Sequence, residues 1–588
     1  MAIPRFEIGA CPSAEVERLQ RELGLSGPIA QVLVRRGFVE PDRARAFLAA
    51  EDEHPPTAFT GIADALTPIL EAVEKGERIT IHGDYDVDGI CATAVIVRAL
   101  RGLGANVDSY LPDRASDGYG LNEDTVRMLA GRGTRLLITV DCAITAVEQV
   151  AAARALGMGV VVTDHHAPRA DGVLPAAPIV HPLICGYPCP ELCATGVAYK
   201  LAQALRQAGE RQPSERELEA DLDLVALATI ADVVALVGEN RTLVRRGLRA
   251  LAATTKPGLR ALMAVARVDP GKVNERSVGF ALAPRLNAAG RLYRADAGLE
   301  LILTEDPARA RQIAAELDRA NHERRAVETQ IRYQAEAQIA ELGERACYVL
   351  AADGWHPGVI GIVASRLAER HRRPVVMIAL DGQLGKGSGR SIEAFDLLAG
   401  LSACGQHLLR HGGHRAAAGL EIERDRVAAF ADAMCDHAER VLEGQELLPA
   451  ERVDAVVGGD ELDMTLAEEL QRLAPFGRGN PGVSLLVKDA TFRDGRPMGE
   501  GKHVRFTVES RGARARAVAF GTGGRLPIDD GAPAEATFTL EINEWNGVSE
   551  PRLVLRQARA AAEPAPEPSP TPRADQADEE LVLFALPG

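Results

Sequence analysis

The sequence is poor in cysteine, in aromatic residues and in long apolar runs. Its 588 residues include nine cysteines, an odd number scattered along the chain, which argues against a secreted disulfide scaffold and favours a reducing cytoplasm. Charges interrupt every apolar run well short of a membrane span, and the N-terminal segment MAIPRFEIGACPSAEVERLQ lacks the basic and apolar regions of a signal peptide. We therefore expect a soluble, cytoplasmic protein without a membrane partner.

The chain also lacks an excess of positive charge. Its 83 acidic residues outnumber the 67 basic ones, and the formal net charge of -16 argues against a protein that coats nucleic acid by bulk electrostatics. A local basic channel is compatible with that total, because carboxylates gathered around metal ions increase the negative count. The length exceeds what one hydrophobic core usually serves, so we expect several domains.

Changes of pattern along the chain predict an α/β protein of six segments. Short β-rich runs alternate with helical runs from about Arg78, which predicts a parallel, doubly wound sheet. A helical region with a long connecting helix from Pro307 to Leu342 follows, and then a second α/β region and a β-rich region that predicts a small antiparallel barrel. The predicted segments are 1–55 (helical), 56–240 (first α/β domain), 241–343 (helical, with the connecting helix), 344–445 (second α/β domain), 446–560 (barrel) and 561–588 (a flexible tail rich in proline, glutamate and alanine).

Acidic and histidine residues follow three predicted strands of the first α/β domain. The strand ends IHGDYDVDG, LLITVD and GVVVTDHH, together with the apolar segment ALATIADVVAL, contain His82, Asp84, Asp86, Asp88, Asp141, Asp164, His165, His166 and Asp232. Because the carboxyl ends of parallel strands meet at one edge of a sheet, we expect these side chains to converge. Carboxylates so crowded repel each other unless cations neutralise them. A solvated acidic turn is the alternative for IHGDYDVDG taken alone.

These residue types predict a site for two divalent metal ions. Ligand sets rich in oxygen, with one or two imidazoles, suit Mn²⁺ or Mg²⁺ better than zinc or copper. Two such ions, about 3.5 to 4 Å apart, can activate a water molecule and stabilise the leaving oxygen of a phosphate ester. The residues by themselves therefore predict hydrolysis of a phosphoester.

The segments HGDYDVDG, VDC, TDHH and IADVV resemble, in this order, the four motifs of the DHH phosphoesterases. The resemblance implies one metal ion held by His82, Asp86 and Asp141. It implies a second ion held by Asp88, Asp141, His165 and Asp232, so that Asp141 bridges the two. It also implies that Asp84 is a ligand or orients one, and that His166 faces the scissile phosphate as a general acid or electrostatic stabiliser.

Later segments resemble the DHHA1 domain and, more specifically, the RecJ exonucleases. They include DGWHPGVIGIVASRL, GSGRS, GGHRAAAGL, LPDRASDGYGL, GFALAPRLNAAGRL and LAPFGRGNP. The resemblance implies a 5′ to 3′ exonuclease specific for single-stranded DNA, which releases 5′ mononucleotides in repair and recombination and has an OB-fold as its barrel. The implied 5′-phosphate pocket contains Arg114, Ser388, Arg390 and His414, and the residues implied to guide the strand are Arg285 and Asn287.

The same resemblance implies partners and leaves alternatives. A single-strand-binding protein and a RecQ-like helicase are the implied partners of a monomeric enzyme. One alternative is another DHH phosphodiesterase that acts on short RNA or cyclic dinucleotides, although such proteins are typically shorter and lack the barrel. Another is a non-catalytic DNA-binding scaffold like the RecJ relative of the eukaryotic replicative helicase, but here every ligand position is filled.

Some local features depart from the RecJ pattern or allow a second interpretation. Ala143 and Ala235 stand where RecJ proteins usually have glycine and proline. The regular spacing of His181, Cys185, Cys189 and Cys193 would suit zinc, but the intervening prolines break any helix that would align them. A basic run predicts either a DNA channel wall or a solvated helix face, and it consists of Arg245, Arg246, Arg249, Lys256, Arg260, Arg267 and Lys272.

Overall fold

The computed structural model describes residues 5–113, 120–209, 212–292, 296–445, 447, 450–545 and 547–561. The chain divides into two units, which we call the large unit and the barrel unit. The large unit comprises Cys11–Pro449 and Glu469–Gly482, and the barrel unit comprises Met1–Ala10, Ala450–Glu468 and Val483–Gly588. The flexible tail predicted from composition lies almost entirely outside the described residues. No helix in the described ranges combines the length and apolar character needed to cross a membrane.

The first strand, β1 (Arg5–Ile8), belongs to the barrel unit, although it lies within the predicted N-terminal helical segment. The helices expected there follow it as α1 (Ser13–Leu23), α2 (Gly27–Arg35) and α3 (Pro41–Ala49). The apolar faces of α1 and α2 are buried, as their helical spacing predicts.

A five-stranded parallel sheet forms the centre of the first α/β domain. Its strands lie in the order β3, β2, β4, β5, β6, and every pairing is parallel. The elements are α4 (Ile62–Glu74), β2 (Ile79–His82), α5 (Val87–Gly102), β3 (Val107–Tyr110), α6 (Glu123–Gly131), β4 (Leu136–Val140), α7 (Val147–Ala155), β5 (Gly159–Thr163), β6 (Ile179–Val180) and α8 (Ala194–Gln207). Since β2, β4 and β5 are neighbours, the three strand ends that carry the acidic motifs meet at one edge.

Helices connect the two α/β domains. They are α9 (Glu215–Leu218), α10 (Leu222–Ala231), α11 (Gly238–Ala252), α12 (Pro257–Ala266), α13 (Glu275–Ser277), a π-helical turn (Val278–Leu282), α14 (Ala283–Leu292), α15 (Asp296–Leu303) and α16 (Pro307–Leu342). The long helix α16 has the bounds that the sequence predicts, because Asp306 caps the backbone N–H of Ala308, proline occupies the first turn, and Gly343 ends the helix with a φ of 69°.

The second α/β domain has a mixed sheet in the order β10, β11, β9, β8, β7, in which only the β7–β8 pairing is parallel. Its elements are β7 (Tyr348–Asp353), α17 (Pro357–His371), β8 (Val375–Asp381), β9 (Leu384–Arg390), α18 (Leu397–Ala403), β10 (Arg410–Gly413), β11 (Ala417–Glu423) and α19 (Val427–Leu442). The β7–α17–β8 crossover places α17 against the sheet.

The barrel unit confirms the predicted small barrel, but the barrel is not wholly antiparallel, because β16 and β18 pair in parallel. Its strands β14, β15, β16, β18 and β17 follow one another, and an additional pairing between β14 and β17 closes the ring. The remaining elements are β12 (Ala450–Val453), β13 (Ala455–Val456), α20 (Met464–Gln471), β14 (Leu485–Met498), β15 (His503–Ser510), β16 (Ala513–Ala519), β17 (Pro533–Trp545) and β18 (Val548–Ala560). Strand β1 pairs in parallel with β12. A five-stranded barrel of this kind is the arrangement of an OB-fold.

Candidate active site

The loop after β2 carries three aspartates into the start of α5. Asp86 is the N-cap residue of this helix, and its Oδ1 accepts hydrogen bonds from the backbone N–H groups of Asp88 at 2.9 Å and Gly89 at 3.1 Å. Asp84 is buried just before the cap. The alternating acidic pattern is therefore a loop and helix start rather than a continued strand, and it gathers the carboxylates at one point.

Asp88 is anchored by the N-terminus of α8. Its two carboxylate oxygens accept hydrogen bonds from the backbone N–H groups of Ala194 and Thr195, each at 2.8 Å. A helix N-terminus stabilises negative charge, so these donors hold Asp88 in place while it faces the other acidic groups.

Asp141 follows β4 in an unusual backbone conformation. Its φ is 63°, a left-handed value that is uncommon for residues other than glycine. Ala143, two residues later, has a φ of 82°. This accounts for the glycine expected there from the RecJ resemblance, since a Cβ atom in this region costs about 1 kcal/mol or more. Such strain is typical of active sites.

Three groups of these side chains bring their ligand atoms within 4.8 Å of one another, and each group could hold a metal ion. They are Asp84, Asp86 and Asp141; Asp88, His165 and Asp232; and Asp141, His165 and His166. The Nε2 atom of His165 is 3.2 Å from Asp141, 3.8 Å from Asp88 and 3.9 Å from Asp232. The structure thus brings together seven of the eight residues predicted from the motifs, while His82 is buried nearby but in none of the three groups.

The electrostatics of the site fit divalent cations. Burial, together with the charges of Asp88 and Asp86, raises the pKa of Asp141 well above its ordinary value. The same causes raise the pKa of Asp232 to about 8, against the opposing effects of His166 and Arg478. The His165 Nε2 atom is buried and makes no hydrogen bond although it faces three carboxylates. Divalent cations would satisfy this nitrogen and the clustered carboxylates together.

Asp164 organises the histidine pair. Its Oδ1 accepts from the backbone N–H groups of His165 at 2.7 Å and His166 at 3.1 Å, and from Nδ1 of His166 at 2.8 Å. Its Oδ2 accepts from the N–H of Ile144 at 2.9 Å. Burial opposes a charge on His166, but the hydrogen bond to Asp164 and its negative charge prevail and raise the pKa of His166 to about 8. Asp164 is a positioning residue, and its place in TDHH was the available sequence signal.

Two further side chains support the site without a sequence signal for that role. His181 donates from Nε2 to the carbonyl of His166 at 2.8 Å, and its Nδ1 accepts from the N–H of Leu183 at 3.1 Å. The Sγ atom of Cys142 lies 3.5 Å from Nδ1 of His82. Because both nitrogens of His181 are engaged, the zinc interpretation of the His181 and cysteine spacing finds no support. None of the possible metal groups in the described part of the chain includes it.

Ser388 and Arg390 form a small polar cluster against α17. Nη1 of Arg390 donates to Oγ of Ser388 at 3.0 Å. A Cβ atom on Gly361, in the first half of α17, would lie 2.8 Å from that Oγ and 3.1 Å from Nη2 of Arg390, so only glycine fits. His414 is exposed in the turn between β10 and β11, whose paired strand β9 ends at Arg390. Arg114, the fourth residue of the predicted pocket, lies outside the described residues.

Helix α14 carries both residues predicted to guide the DNA strand, and both make contacts within the protein. Oδ1 of Asn287 accepts from the N–H of Val87 at 3.1 Å, which holds the acidic loop. Arg285 is largely buried and donates to Asp318 at 2.8 Å and to the carbonyl of Ala281 at 2.7 Å. Asn287 thus contacts the metal loop through Val87, and a direct contact of either residue with DNA stays a prediction.

Three residues of the basic run between Arg245 and Lys272 have partners within the protein. Arg246 pairs with Glu53 and Glu219, and Lys256 lies 2.7 Å from the buried Asp223. Arg245 donates to the carbonyl of Leu48 at 2.6 Å. Their positive charges are satisfied within the fold, which removes these three positions from the predicted wall.

Three family models match the chain. The DHH family N-terminal domain matches residues 78–229, the DHHA1 domain matches 343–440, and the RecJ OB domain matches 453–557. The single-stranded-DNA-specific exonuclease RecJ of Bacillus subtilis is 38% identical over 564 residues, which cover 94% of this chain and 70% of that protein.

Solved structures agree in fold. The crystal structure of RecJ from Thermus thermophilus in complex with Mn²⁺ superposes with a TM-score of 0.82 at 31% identity, covering 95% of this chain and 80% of that one. The complex of the same protein with Mg²⁺ gives a TM-score of 0.76 at 30% identity, covering 95% and 79%. The chain thus shares its order of domains and its fold with proteins crystallised with the ions that its acidic site fits.

Proposed function

This chain belongs to the RecJ family of DHH phosphoesterases, and we propose that it is a metal-dependent exonuclease that degrades single-stranded DNA from the 5′ end and releases 5′ mononucleotides. The observation that carries the proposal is the position of Asp141. It belongs to the group with Asp84 and Asp86, and its Oδ1 also lies 3.2 Å from Nε2 of His165, as a ligand shared by two ions would. Relatives that are 38% identical to this chain, from Bacillus subtilis and Dickeya dadantii, are named single-stranded-DNA-specific exonuclease RecJ.

Different residues of the chain have different roles in the proposed hydrolysis. Two divalent ions, Mn²⁺ or Mg²⁺, would supply an activated water and stabilise negative charge on the phosphate. Asp141 and the neighbouring carboxylates would hold them, with His165 completing the ligand set. Asp164 fixes Nδ1 of His166 and leaves Nε2 to hold a proton for the leaving oxygen. With its pKa near 8, His166 carries that proton at neutral pH.

The 5′ to 3′ direction of the proposed degradation depends on the cluster of Ser388 and Arg390. A guanidinium beside a hydroxyl and a glycine-lined stretch of helix can hold a terminal phosphate through several hydrogen bonds. Helix α14 contributes Asn287 to the metal loop and packs on α17, so it links this cluster to the metal site. A 5′ phosphate held there would bring the first phosphodiester bond toward the metals.

The barrel supports a preference for single strands. Among its aromatic residues, Phe506 is buried, whereas Phe520 is 52% exposed. The rings of Phe520 and His503 meet edge-on, with their centroids 5.2 Å apart. Arg496 and Arg505 stand directly opposite each other on β14 and β15, and no ion pair involves either in the described residues. Like charges so placed repel, and an anionic strand would relieve that repulsion. An exposed aromatic ring and a pair of exposed arginines on the same barrel suit unpaired bases and their phosphates.

The proposed function is tested by digesting oligonucleotides labelled at either end. With Mn²⁺ or Mg²⁺, the full-length protein should release labelled mononucleotide at once from a 5′-labelled, 5′-phosphorylated single strand, and release a 3′ label only late. A matched blunt duplex is the control and should resist. Equal attack on the duplex, early release of the 3′ label, or activity confined to dinucleotides would contradict the proposal, the last in favour of another DHH phosphodiesterase.

Arg390→Ala should weaken the preference for a 5′ phosphate over a 5′ hydroxyl. A charge-assisted hydrogen bond to phosphate contributes roughly 1.5 to 3 kcal/mol, so the ratio of kcat/KM for the two substrates should fall about tenfold or more. The measurement compares both substrates with the wild type and with Arg410→Ala, a substitution on the exposed strand β10. An equal loss on both substrates would place Arg390 outside the terminal-phosphate pocket.

A further inference from the structure

A tight turn between α20 and the barrel, residues 473–481, has no role in the proposed function. Its sequence is LAPFGRGNP, and all of it belongs to the large unit, although residues 450–468 before it and the strands after it belong to the barrel unit. The N–H of Gly477 donates to the carbonyl of Asn480 at 2.8 Å, and the N–H of Asn480 donates back at 3.2 Å. Arg478 and Gly479 are thus the two tip residues of a hairpin-like turn, with a φ of 76° at Gly479.

Buried polar side chains hold this turn in place. Nη1 of Arg241, which is almost completely buried, donates to the carbonyl of Leu473 at 2.9 Å. Nδ2 of the buried Asn480 donates to the carbonyls of Leu473 and Pro475, both at 2.8 Å. Ordering a loop costs conformational entropy at every residue, so these contacts are needed to keep the tip of the turn in a single conformation.

The tip lies against the segment that leaves the metal site. The carbonyl of Arg478 accepts from the N–H of Leu236 at 2.7 Å, four residues after the predicted ligand Asp232. A Cβ atom on Gly477 would lie 2.8 Å from the Leu236 side chain, and one on Gly479 would lie 3.1 Å from Ala235. The close approach explains both glycines and fixes the backbone of Arg478 beside that segment.

The side chain of Arg478 is exposed. No hydrogen bond or ion pair of its guanidinium occurs within the described ranges. This differs from Arg241, Arg245 and Arg246, whose guanidinium groups bond within the fold.

We propose that Arg478 binds a backbone phosphate of the substrate strand next to the metal site. The turn fixes the backbone of Arg478 against Ala235 and Leu236, in the segment that follows Asp232, so its exposed guanidinium starts from a fixed point near the metal site. A guanidinium can grip a phosphate with two hydrogen bonds, and with the backbone already fixed only the freedom of the side chain is lost on binding. This inference rests on the proposed function, because the ligand is the DNA strand that the enzyme would degrade.

The test measures binding apart from hydrolysis. Three substitutions are each combined with Asp141→Asn: Arg478→Ala, Arg478→Lys and the control Arg472→Ala. Arg472 is an exposed arginine just before the same turn. Binding of a 5′-phosphorylated oligo(dT) is followed by fluorescence anisotropy over a range of salt concentrations. Arg478→Ala should raise Kd about five- to tenfold at low salt and reduce the slope of log K against log[salt] by about 0.7, the value for one phosphate contact on a single strand. Arg478→Lys should keep the slope.

Two results would overturn the proposal. One is an unchanged salt slope, or an equal change in the Arg472→Ala control, which would indicate only bulk charge. The other is weaker Mn²⁺ binding by calorimetry, measured with Asp141 intact, with unchanged DNA affinity, which would mean that Arg478 serves Asp232 instead. Failure of the proposed function is distinguishable, because the protein with an intact active site would then neither degrade nor bind single-stranded DNA, whatever residue stands at 478.

Discussion

Asp141→Asn is expected to abolish hydrolysis of single-stranded DNA. The substitution removes the one carboxylate shared by two metal groups. A metal ion lowers a phosphoryl-transfer barrier by several kcal/mol, and losing about 4 kcal/mol slows the reaction roughly a thousandfold. The measurement is kcat for release of 5′-labelled mononucleotide in Mn²⁺. Asp124→Asn, an exposed position on α6, is the matched control and should keep its activity.

Stability gives an independent readout for the same substitution. Burial, together with the charges of the neighbouring carboxylates, raises the pKa of Asp141, so a neutral amide should leave the metal-free protein at least as stable as the wild type. Mn²⁺ should raise Tm for the wild type, because a ligand that binds only the folded state stabilises it, and should raise it less for Asp141→Asn. An equal Mn²⁺-induced rise in both proteins would contradict the assignment of Asp141 as a ligand.

His166→Ala is expected to lower kcat by roughly 10²- to 10⁴-fold, the usual contribution of a positioned general acid. The wild-type imidazole is protonated below its pKa of about 8, so kcat should fall as pH rises through that value. Asp164→Asn removes the negative charge and leaves the amide to contact His166. The pKa of His166 should then drop toward its ordinary value, and the alkaline limb of the profile should move to lower pH.

The matched control for this profile is His181→Asn, which keeps a donor to the carbonyl of His166 and leaves Asp164 untouched. Its alkaline limb should stay where the wild-type limb lies. The profiles are measured at saturating substrate and Mn²⁺, so that metal occupancy does not vary with pH. A limb that persists unchanged in His166→Ala would assign the titration to another group.

The fold could be predicted largely from the sequence because its signals are local and repeated. Strand and helix alternate by hydrophobic period in the first α/β domain, and Asp306, Pro307 and Gly343 mark both ends of α16. The elements that were missed are short or weakly patterned, such as β6 with two residues and the glycine-rich β9, whose sequence LGKGSGR carries no strand pattern. The pairing of β1 with β12 depends on residues more than 400 positions apart, which no local pattern records.

The contacts of several charged and polar side chains, in contrast, could not be predicted from the sequence. Arg246 and Lys256 are positively charged, as residues of a DNA-binding surface would be, but each forms an ion pair with an acidic residue distant in sequence. Asn287 accepts a hydrogen bond from the backbone of the acidic loop, a contact within the protein that its sequence did not predict. Which charge meets DNA is decided by what else lies within a few ångströms, because an ion pair inside the fold removes a cation from use by the substrate.

By itself, the sequence determined that carboxylates and histidines end neighbouring parallel strands, and hence that a metal-dependent phosphoesterase site is present. The physical reason is that short stretches of sequence determine both the ligand chemistry and the direction of the strands. Tertiary structure alone decided that Asp141 belongs to two metal groups, that the N-terminus of α8 anchors Asp88, and that the turn at Arg478 lies against Leu236, in the segment after Asp232. These relations join segments far apart in the chain, and they exist only once the surrounding core has brought them within hydrogen-bonding distance.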